Sequence, residues 1–316
     1  MIVTLTPNPS IDRTVSVPAL EHGEVNRASD SRIDPGGKGI NVARALTTNG
    51  TEALAVLPSG GPEGHLLQAL LRRSGTAYTA VPIAGTTRMN IAVIEPDGTT
   101  TKLNEPGPTL TDDEFDALLA TVDDHLDHDL RWIVGCGSLT PGMPEGIYAD
   151  LVRRGHVHGI KVAIDSSGAP FTAAVPAGPD LIKPNHEELE ELVDRPLRTL
   201  ADVGEAARTL VDGGIETVIV SLGRHGALLV NAHAVAHASA HVARPVSTVG
   251  AGDSLVAGYL HAVCRGAGPR EALATGVAWG AAAVSLPGSR MPGPDDIAAI
   301  TVTSTDTPDL TLSLTD

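Results

Sequence analysis

The stretch Ser247-Thr248-Val249-Gly250-Ala251-Gly252-Asp253-Ser254 sets an acid behind a tight glycine turn at the start of a helix. The run before it, residues 241–246, reads as a strand. The run after it, residues 255–265, carries Leu255, Val256, Tyr259, Leu260 and Val263 at helical spacing. Glycines at 250 and 252 let the backbone bend and approach a ligand closely. The first amides of the helix then lack internal partners and point at any anion placed there. A carboxylate repels phosphate, so Asp253 makes sense beside an anion only if something must lose a proton there. That pairing points to phosphoryl transfer onto a hydroxyl, with Asp253 as base. Taken alone, the octapeptide reads equally as a structural turn with Asp253 as a helix cap.

Composition narrows the choice. The 316 residues suit one large domain, alone or with a small appendage. Apolar content is 42% but aromatics are only 2%. The core is therefore built from Ala, Val, Leu and Ile, which suits helices packed on a parallel sheet. Lys plus Arg is 22 against 38 Asp plus Glu, a net charge of −16. This excludes a basic nucleic-acid surface. A phosphorylated substrate would be repelled by the overall field and held by a few local cations. Cys136 and Cys264 are the only cysteines, at unrelated spacing, so neither a disulfide framework nor a zinc cluster is indicated. The first residues run directly into a strand pattern, and no apolar run reaches the length of a membrane span. A cytoplasmic protein is expected.

Along the chain, strand patterns alternate with helical ones. Residues 2–6, 53–57, 132–135, 161–165, 181–183 and 217–221 read as strands, and 40–49, 64–73, 145–154 and 200–211 as helices. Thr111-Asp112-Asp113-Glu114 has capping-box form before a further helix at 115–126. Gly50, Gly75, Gly155 and Gly213 fall just past helix ends, where a left-handed residue is expected. This alternation predicts an α/β fold with a parallel sheet covered on both faces. Two regions break the rhythm. Residues 11–33 are short, polar and alternating, and 89–103 read as a hairpin turning at Pro96-Asp97-Gly98. Together they predict a small antiparallel lid. Residues 301–316 are rich in Thr, Asp and Ser and read as a loosely held tail.

Several other segments carry chemistry. Asp34-Pro35-Gly36-Gly37-Lys38-Gly39-Ile40-Asn41 is a second glycine turn entering a helix, with a cation and an amide beside it. Thr6-Pro7-Asn8-Pro9-Ser10-Ile11-Asp12-Arg13 follows the first strand, where ligands gather in parallel sheets. Asp12 there could accept bonds from sugar hydroxyls. Arg27 and Arg88 offer planar forks matched to phosphate oxygens. Lys183-Pro184-Asn185-His186-Glu187-Glu188 puts Asn185 and Glu188 three apart at a helix start. That spacing suits water-mediated magnesium or, equally, a helix cap. Ser221-Leu222-Gly223-Arg224-His225-Gly226 ends another strand and could take nucleotide phosphates or turn a hairpin. Neither a Walker-type P-loop nor the protein-kinase signatures are present.

In this order the segments resemble the ribokinase-like (PfkB) carbohydrate kinases, on their phosphosugar branch, from Met1 to about Pro292. Gly23-Glu24-Val25-Asn26-Arg27-Ala28 and Asn104-Glu105-Pro106-Gly107-Pro108 complete the resemblance. It implies a single ribokinase-like kinase domain over 1–300, lid strands from about 11–33 and 88–103, and a polar tail at 301–316. It also implies ATP and Mg2+, with Asp253 as base and the amides of Gly250, Ala251 and Gly252 as anion hole. Asp12, Gly36, Gly37 and Asn41 match sugar-contacting positions, while Arg27, Lys38 and Arg88 match or adjoin the substrate's existing phosphate. Lys183, Asn185, Ser221, Gly223 and Gly226 match the nucleotide side, with Gly250 and Gly252, and Glu188 completes an Asn-x-x-Glu motif tied to magnesium. Thr140 departs from the usual Pro in Gly137-Ser138-Leu139-Thr140-Pro141-Gly142, but Ser138 keeps its place as a substrate contact. Residues 279–290 match only loosely, so no adenine contact is assigned there. A homodimer through the lid strands is also implied.

The implied reaction converts fructose 1-phosphate and ATP to fructose 1,6-bisphosphate and ADP. Kinases of fructose 6-phosphate or tagatose 6-phosphate share most of these motifs, although Lys38 argues against fructose 6-phosphate. A non-catalytic sugar-phosphate sensor on the same fold predicts decay at Asp253, which is intact.

Overall fold

The computed structural model describes residues 1–126 and 129–314. Its strands in chain order are β1 (Ile2–Leu5), β2 (Ser10–Ser16), β3 (Asp30–Gly36), β4 (Ala53–Ser59), β5 (Ala77–Pro82), β6 (Arg88–Ile94) and β7 (Thr100–Asn104). They continue with β8 (Trp132–Cys136), β9 (Lys161–Asp165), β10 (Leu181–Ile182), β11 (Thr217–Ser221), β12 (Ala227–Asn231), β13 (Val235–Ala240) and β14 (Val302–Thr305). The main sheet has the order β14-β13-β12-β11-β10-β9-β8-β1-β4-β5. From β11 to β5 every neighbouring pair is parallel, and β12, β13 and β14 add on antiparallel.

Helices cover both faces of this sheet. One core cluster packs α1 (Lys38–Thr48), α2 (Gly61–Arg73), α8 (Ala251–Cys264) and α9 (Pro269–Val284) on one side. The other packs α3 (Asp112–Asp123), α4 (Ile147–Val157), α5 (Gly168–Ala174), α6 (His186–Val193) and α7 (Leu200–Asp212) on the opposite side. Central strands are enclosed on both faces, so β8 and β11 are nearly apolar throughout: Ile133, Val134, Val218, Ile219 and Val220 are fully buried. β1 lies between β4 and β8, so the connections on its two sides leave in opposite directions. A crevice opens there beyond the carboxyl ends of the strands. None of the described helices is long and apolar enough to cross a membrane.

The second sheet has the order β3-β2-β6-β7. It is not wholly antiparallel as expected. Each outer pair is antiparallel, but the central pair β2–β6 runs parallel, with Asp12 opposite Asn90. β2 and β6 both leave the crevice rim in the same sense, so joining them side by side makes a parallel seam.

Other expectations also give way. Residues 241–246 form no strand; the chain there is irregular, and Val246 and Ser247 N–H groups bond instead to the Val284 carbonyl. Pro245 removes a donor that a ladder would need. Gly155 lies inside α4, facing Val162, and Gly213 is right-handed; the left-handed residues are Gly159 and Gly214. The tail is tied down. Val302–Thr305 pairs with β13, while Leu310 and Leu312 carbonyls accept from Ala201 and Leu200 N–H groups. Val302 packs on one core cluster and Leu312 and Leu314 on the other, anchoring a stretch whose polar composition suggested a loosely held tail. Residues 315 and 316 of that tail lie outside the described residues.

Candidate active site

α8 begins one turn before the sequence pattern suggested, so Gly252 and Asp253 sit within its first turn. Gly250 caps it in the left-handed region at φ 77°, a conformation that a side chain would strain. The Ser254 N–H makes the first ladder bond, to the Gly250 carbonyl at 2.8 Å, and Ala251 N–H reaches back to Thr248 at 3.4 Å. The N–H groups of Gly252 and Asp253 have no partner among the described residues. They open toward the crevice with the positive end of the helix behind them.

Asp253 is 6% exposed, and its Oδ2 accepts a 2.9 Å hydrogen bond from Asn41 Nδ2 on α1. Burial pushes its pKa up to about 6, with help from the charge of Asp165; Lys38, Asn41 and Lys183 pull the other way. Asp165, at the end of β9, is a site residue that sequence reasoning missed. It is buried, and its Oδ1 lies 2.9 Å from Lys38 Nζ and 3.4 Å from Lys183 Nζ. Burial alone would raise its pKa, but the two lysines outweigh that and hold it below the ordinary carboxylate range. Burial likewise works to lower the pKa of Lys38, and Asp165, Asp253 and Glu188 more than reverse it. Strand patterning had found residues 161–165, but nothing local marked the last as a charge centre, because its partners are 127 and 18 residues away.

The side of the crevice where the sequence expects sugar contacts is built around Asp12. Its Oδ1 accepts from Ser10 Oγ at 2.7 Å and from Asn90 Nδ2 at 3.0 Å. A side chain at position 36 would enter the Asp12 carboxylate, so Gly36 is required by close approach. Gly37 caps α1 and delivers Lys38 and Asn41 to the centre. Arg88 is half-buried, donating through Nη1 to the Glu105 carbonyl at 2.9 Å and through Nη2 to the Asn8 carbonyl at 3.1 Å. Its buried Nε has no partner among the described residues. Burial lowers its pKa, opposed by Asp12 and Glu105. Ser138 is exposed at the crevice rim, 3.5 Å from Asn8 Nδ2. Asn90 was also missed; two residues past Arg88 on one strand, it shares that residue's face. Arg27 is not gathered in: it sits in an exposed loop and makes no hydrogen bond or ion pair among the described residues.

Where the sequence expects the nucleotide lies a cleft of about 770 Å³. Asn185, Ser221, Gly223 and Gly226 line it together with Ala251 and Gly252. Asn185 and Ser221 are bridged as neighbouring backbone segments, and residues 222–226 close a tight turn through Leu222 N–H to the Gly226 carbonyl. Val277, Gly280, Ala281 and Val284 of α9 form an apolar wall, the last three in the region left unassigned from sequence. Lys183 lies deeper, 4% exposed beside Asp165.

Asn185 and Glu188 form a capping box. Asn185 Oδ1 accepts from Glu188 N–H at 2.7 Å, and Glu188 Oε2 accepts from Asn185 N–H at 2.8 Å. The amide oxygen of Asn185 is thus committed to the helix. Glu188 keeps its other carboxylate oxygen, and its charge helps hold the pKa of Lys38 up. No group of three or more His, Cys, Asp or Glu among the described residues could hold a metal directly. The donor set fits magnesium held through water and phosphate oxygens.

A buried carboxylate beside unpaired helix amides, between an apolar cleft and a polar lid, is a geometry for moving a phosphoryl group. Residues 6–296 match the model of the pfkB family carbohydrate kinases. The chain is 36% identical over 305 residues to a 1-phosphofructokinase of Rhodobacter capsulatus, covering 96% of both chains. It is 37% identical over 303 residues to an ATP-dependent 6-phosphofructokinase isozyme 2 of Mycobacterium tuberculosis, covering 94% of this chain and 87% of that one. Among solved structures, phosphofructokinase-2 from Escherichia coli in complex with substrates and products superposes with a TM-score of 0.90 at 35% identity, covering 94% and 97% of the two chains. The chain belongs to the pfkB family of carbohydrate kinases, as a phosphotransferase of phosphofructokinase type acting on a sugar hydroxyl.

Proposed function

We propose that this kinase transfers the γ-phosphoryl group of ATP to the 6-hydroxyl of fructose 1-phosphate, with Asp253 as general base. The observation that carries the mechanism is the Asp253 carboxylate, buried and held by Asn41 next to the free amides of Gly252 and Asp253. With its pKa near 6, Asp253 is ionised at neutral pH yet basic enough to take a proton from the hydroxyl as the phosphoryl group arrives. The amides at the start of α8 stabilise charge on the moving group, a role whose loss costs roughly 10²–10³ in rate elsewhere. Ala251 contributes less than its neighbours because its amide already leans on Thr248.

Asp12 and Asn90 orient the sugar hydroxyls, and Gly36, Gly37 and Ser138 let it lie against the backbone. Arg88 takes the existing phosphate, and Lys38 keeps two N–H donors free to assist it. Asn185, Ser221, Gly223 and Gly226 frame the nucleotide, and Lys183 reaches its phosphates. Bound magnesium, held by Glu188 through water, would neutralise charge on the transferring phosphates. The lid strands exclude water during transfer.

The substrate rests on similarity to relatives named 1-phosphofructokinase. Fructose 6-phosphate is the second reading, supported by the equally similar 6-phosphofructokinase isozyme 2 and by the phosphofructokinase-2 likeness; tagatose 6-phosphate is a third. A homodimer through the lid fits the exposed Val25 and Leu103 and the fully exposed β7. The cytoplasm, where ATP is made available, is the compartment this reading expects. Initial rates with Mg-ATP and each of the three phosphosugars test the assignment. Fructose 1-phosphate should give the highest kcat/KM; a preference for a 6-phosphate would move the substrate and keep the mechanism.

A further inference from the structure

Arg44 lies on α1 one turn beyond Asn41, is 9% exposed, and has no part in the contacts assigned above to sugar or nucleotide. Its Nη1 donates at 3.2 Å to three acceptors: Asn41 Oδ1, the Pro35 carbonyl of β3 and the Ser289 carbonyl. On its other side Asn41 donates through Nδ2 to Asp253 Oδ2 at 2.9 Å. The amide therefore stands between a group that can only donate and one that, when ionised, can only accept. Guanidinium has no acceptor and carboxylate has no donor, so one orientation of the amide satisfies both neighbours. Reversed, its oxygen would face the Asp253 carboxylate and its NH2 would face the guanidinium. Ionised Asp253 alone calls for the NH2 side of the amide; Arg44 adds the second constraint, on its oxygen.

We propose that Arg44 is a positioning residue for phosphoryl transfer, fixing the Asn41 amide so that it donates to the base and holds the carboxylate in line with the sugar hydroxyl. The proposal rests on the reading of Asp253 as base. Burying a guanidinium is costly unless its donors are used. Here one nitrogen joins the root of the lid, through Pro35, and the 289 segment to the residue that aims the base. Burial works to lower the pKa of Arg44; Asp34 and Asp12 oppose that, and Arg32 adds to it. Asp253 itself is faced by Asp165 of β9, by Lys38 and Asn41 of α1, and by Lys183 beyond β10. Arg44 acts on the base through Asn41.

The test is a double-variant cycle on the full chain, with Arg44→Gln, Asn41→Ala and the pair, read as kcat, KM for both substrates, and the acid limb of the kcat/KM profile. Arg44→Gln should lower kcat about tenfold, leave KM for ATP within about twofold, and move the acid limb upward by removing a reliable donor to Asp253. In the Asn41→Ala background the same substitution should change kcat by less than about twofold. Arg44→Lys, which keeps a donor and the charge, should recover part of the loss. If Arg44→Gln does not fold, by circular dichroism, the cycle is run with Arg44→Met, which has no donor, and read the same way. Additive losses in the pair, or a lost affinity with kcat and acid limb unmoved, would overturn the proposal. Asp253→Asn run alongside separates the two readings. Retained turnover there defeats the base assignment, whereas an inactive Asp253→Asn with an additive cycle defeats only Arg44.

Discussion

Lys38 and Asp165 meet at 2.9 Å, joining the glycine turn at the start of α1 to the end of β9. Lys183, 3.4 Å from the same oxygen, extends the cluster toward the cleft. The buried Asp165 charge has two consequences. It holds both lysines in place without ligand, and it adds to the burial that raises the pKa of Asp253.

Activity should therefore fall on the acid side as Asp253 gains its proton, with kcat/KM dropping tenfold per pH unit below about 6. Asp165→Asn removes the negative neighbour and leaves the lysines uncompensated. Both changes favour ionised Asp253, so the acid limb should move to lower pH. A limb that stays in place or rises in Asp165→Asn would show that another group governs it.

Asp253→Asn should reduce turnover by about 10²–10⁴ while stabilising the fold at neutral pH. The sign follows from linkage. A carboxylate whose folded pKa lies above its ordinary 3.8 contributes stability below pH 4 that is lost as pH rises through about 6. The amide does not titrate, so the variant escapes that loss. At 1.36 kcal/mol per pH unit the full interval is worth about 3 kcal/mol, net of the favourable charges of Lys38 and Lys183. Melting temperatures at pH 4 and pH 8 check it. The gain should appear at pH 8 and vanish at pH 4; an equal gain at both would point to packing instead of charge.

Arg88→Ala should raise KM for the phosphosugar about ten- to a hundredfold, as loss of charged hydrogen bonds of about 1.5–3 kcal/mol implies. KM for ATP should stay within about threefold, because Arg88 stands on the lid side of the crevice with Asn8 and Glu105. Equal losses for both substrates would remove Arg88 from the phosphate site. Two-substrate initial rates decide it.

Much of this was legible in the linear chain. Alternating strands and helices gave the layered α/β architecture, because a strand enclosed on both faces must be apolar and a covering helix must carry a stripe. The two glycine turns marked the centre, since Gly250 and Gly36 each do something a residue with a side chain cannot. The Thr111 capping box formed as its spacing implied, with α3 starting at Asp112. Asn185 and Glu188 were legible only as a choice; the reciprocal cap forms and engages one oxygen of each side chain.

What the sequence by itself determined were the features with a local physical cause: periodic burial, tight turns, caps, and the absence of a basic surface. Only the tertiary structure decided which charges face one another. Asp165 becomes a site residue because β9, α1 and the segment after β10 bring it to Lys38 and Lys183. Asn90 reaches Asp12 because β2 and β6 pair in parallel, against expectation. Arg44 matters because α1 turns it toward Asn41 while β3 and the 289 segment supply its other acceptors. Electrostatic pairing falls off with distance in space and is indifferent to distance along the chain, so no spacing rule could have announced these contacts.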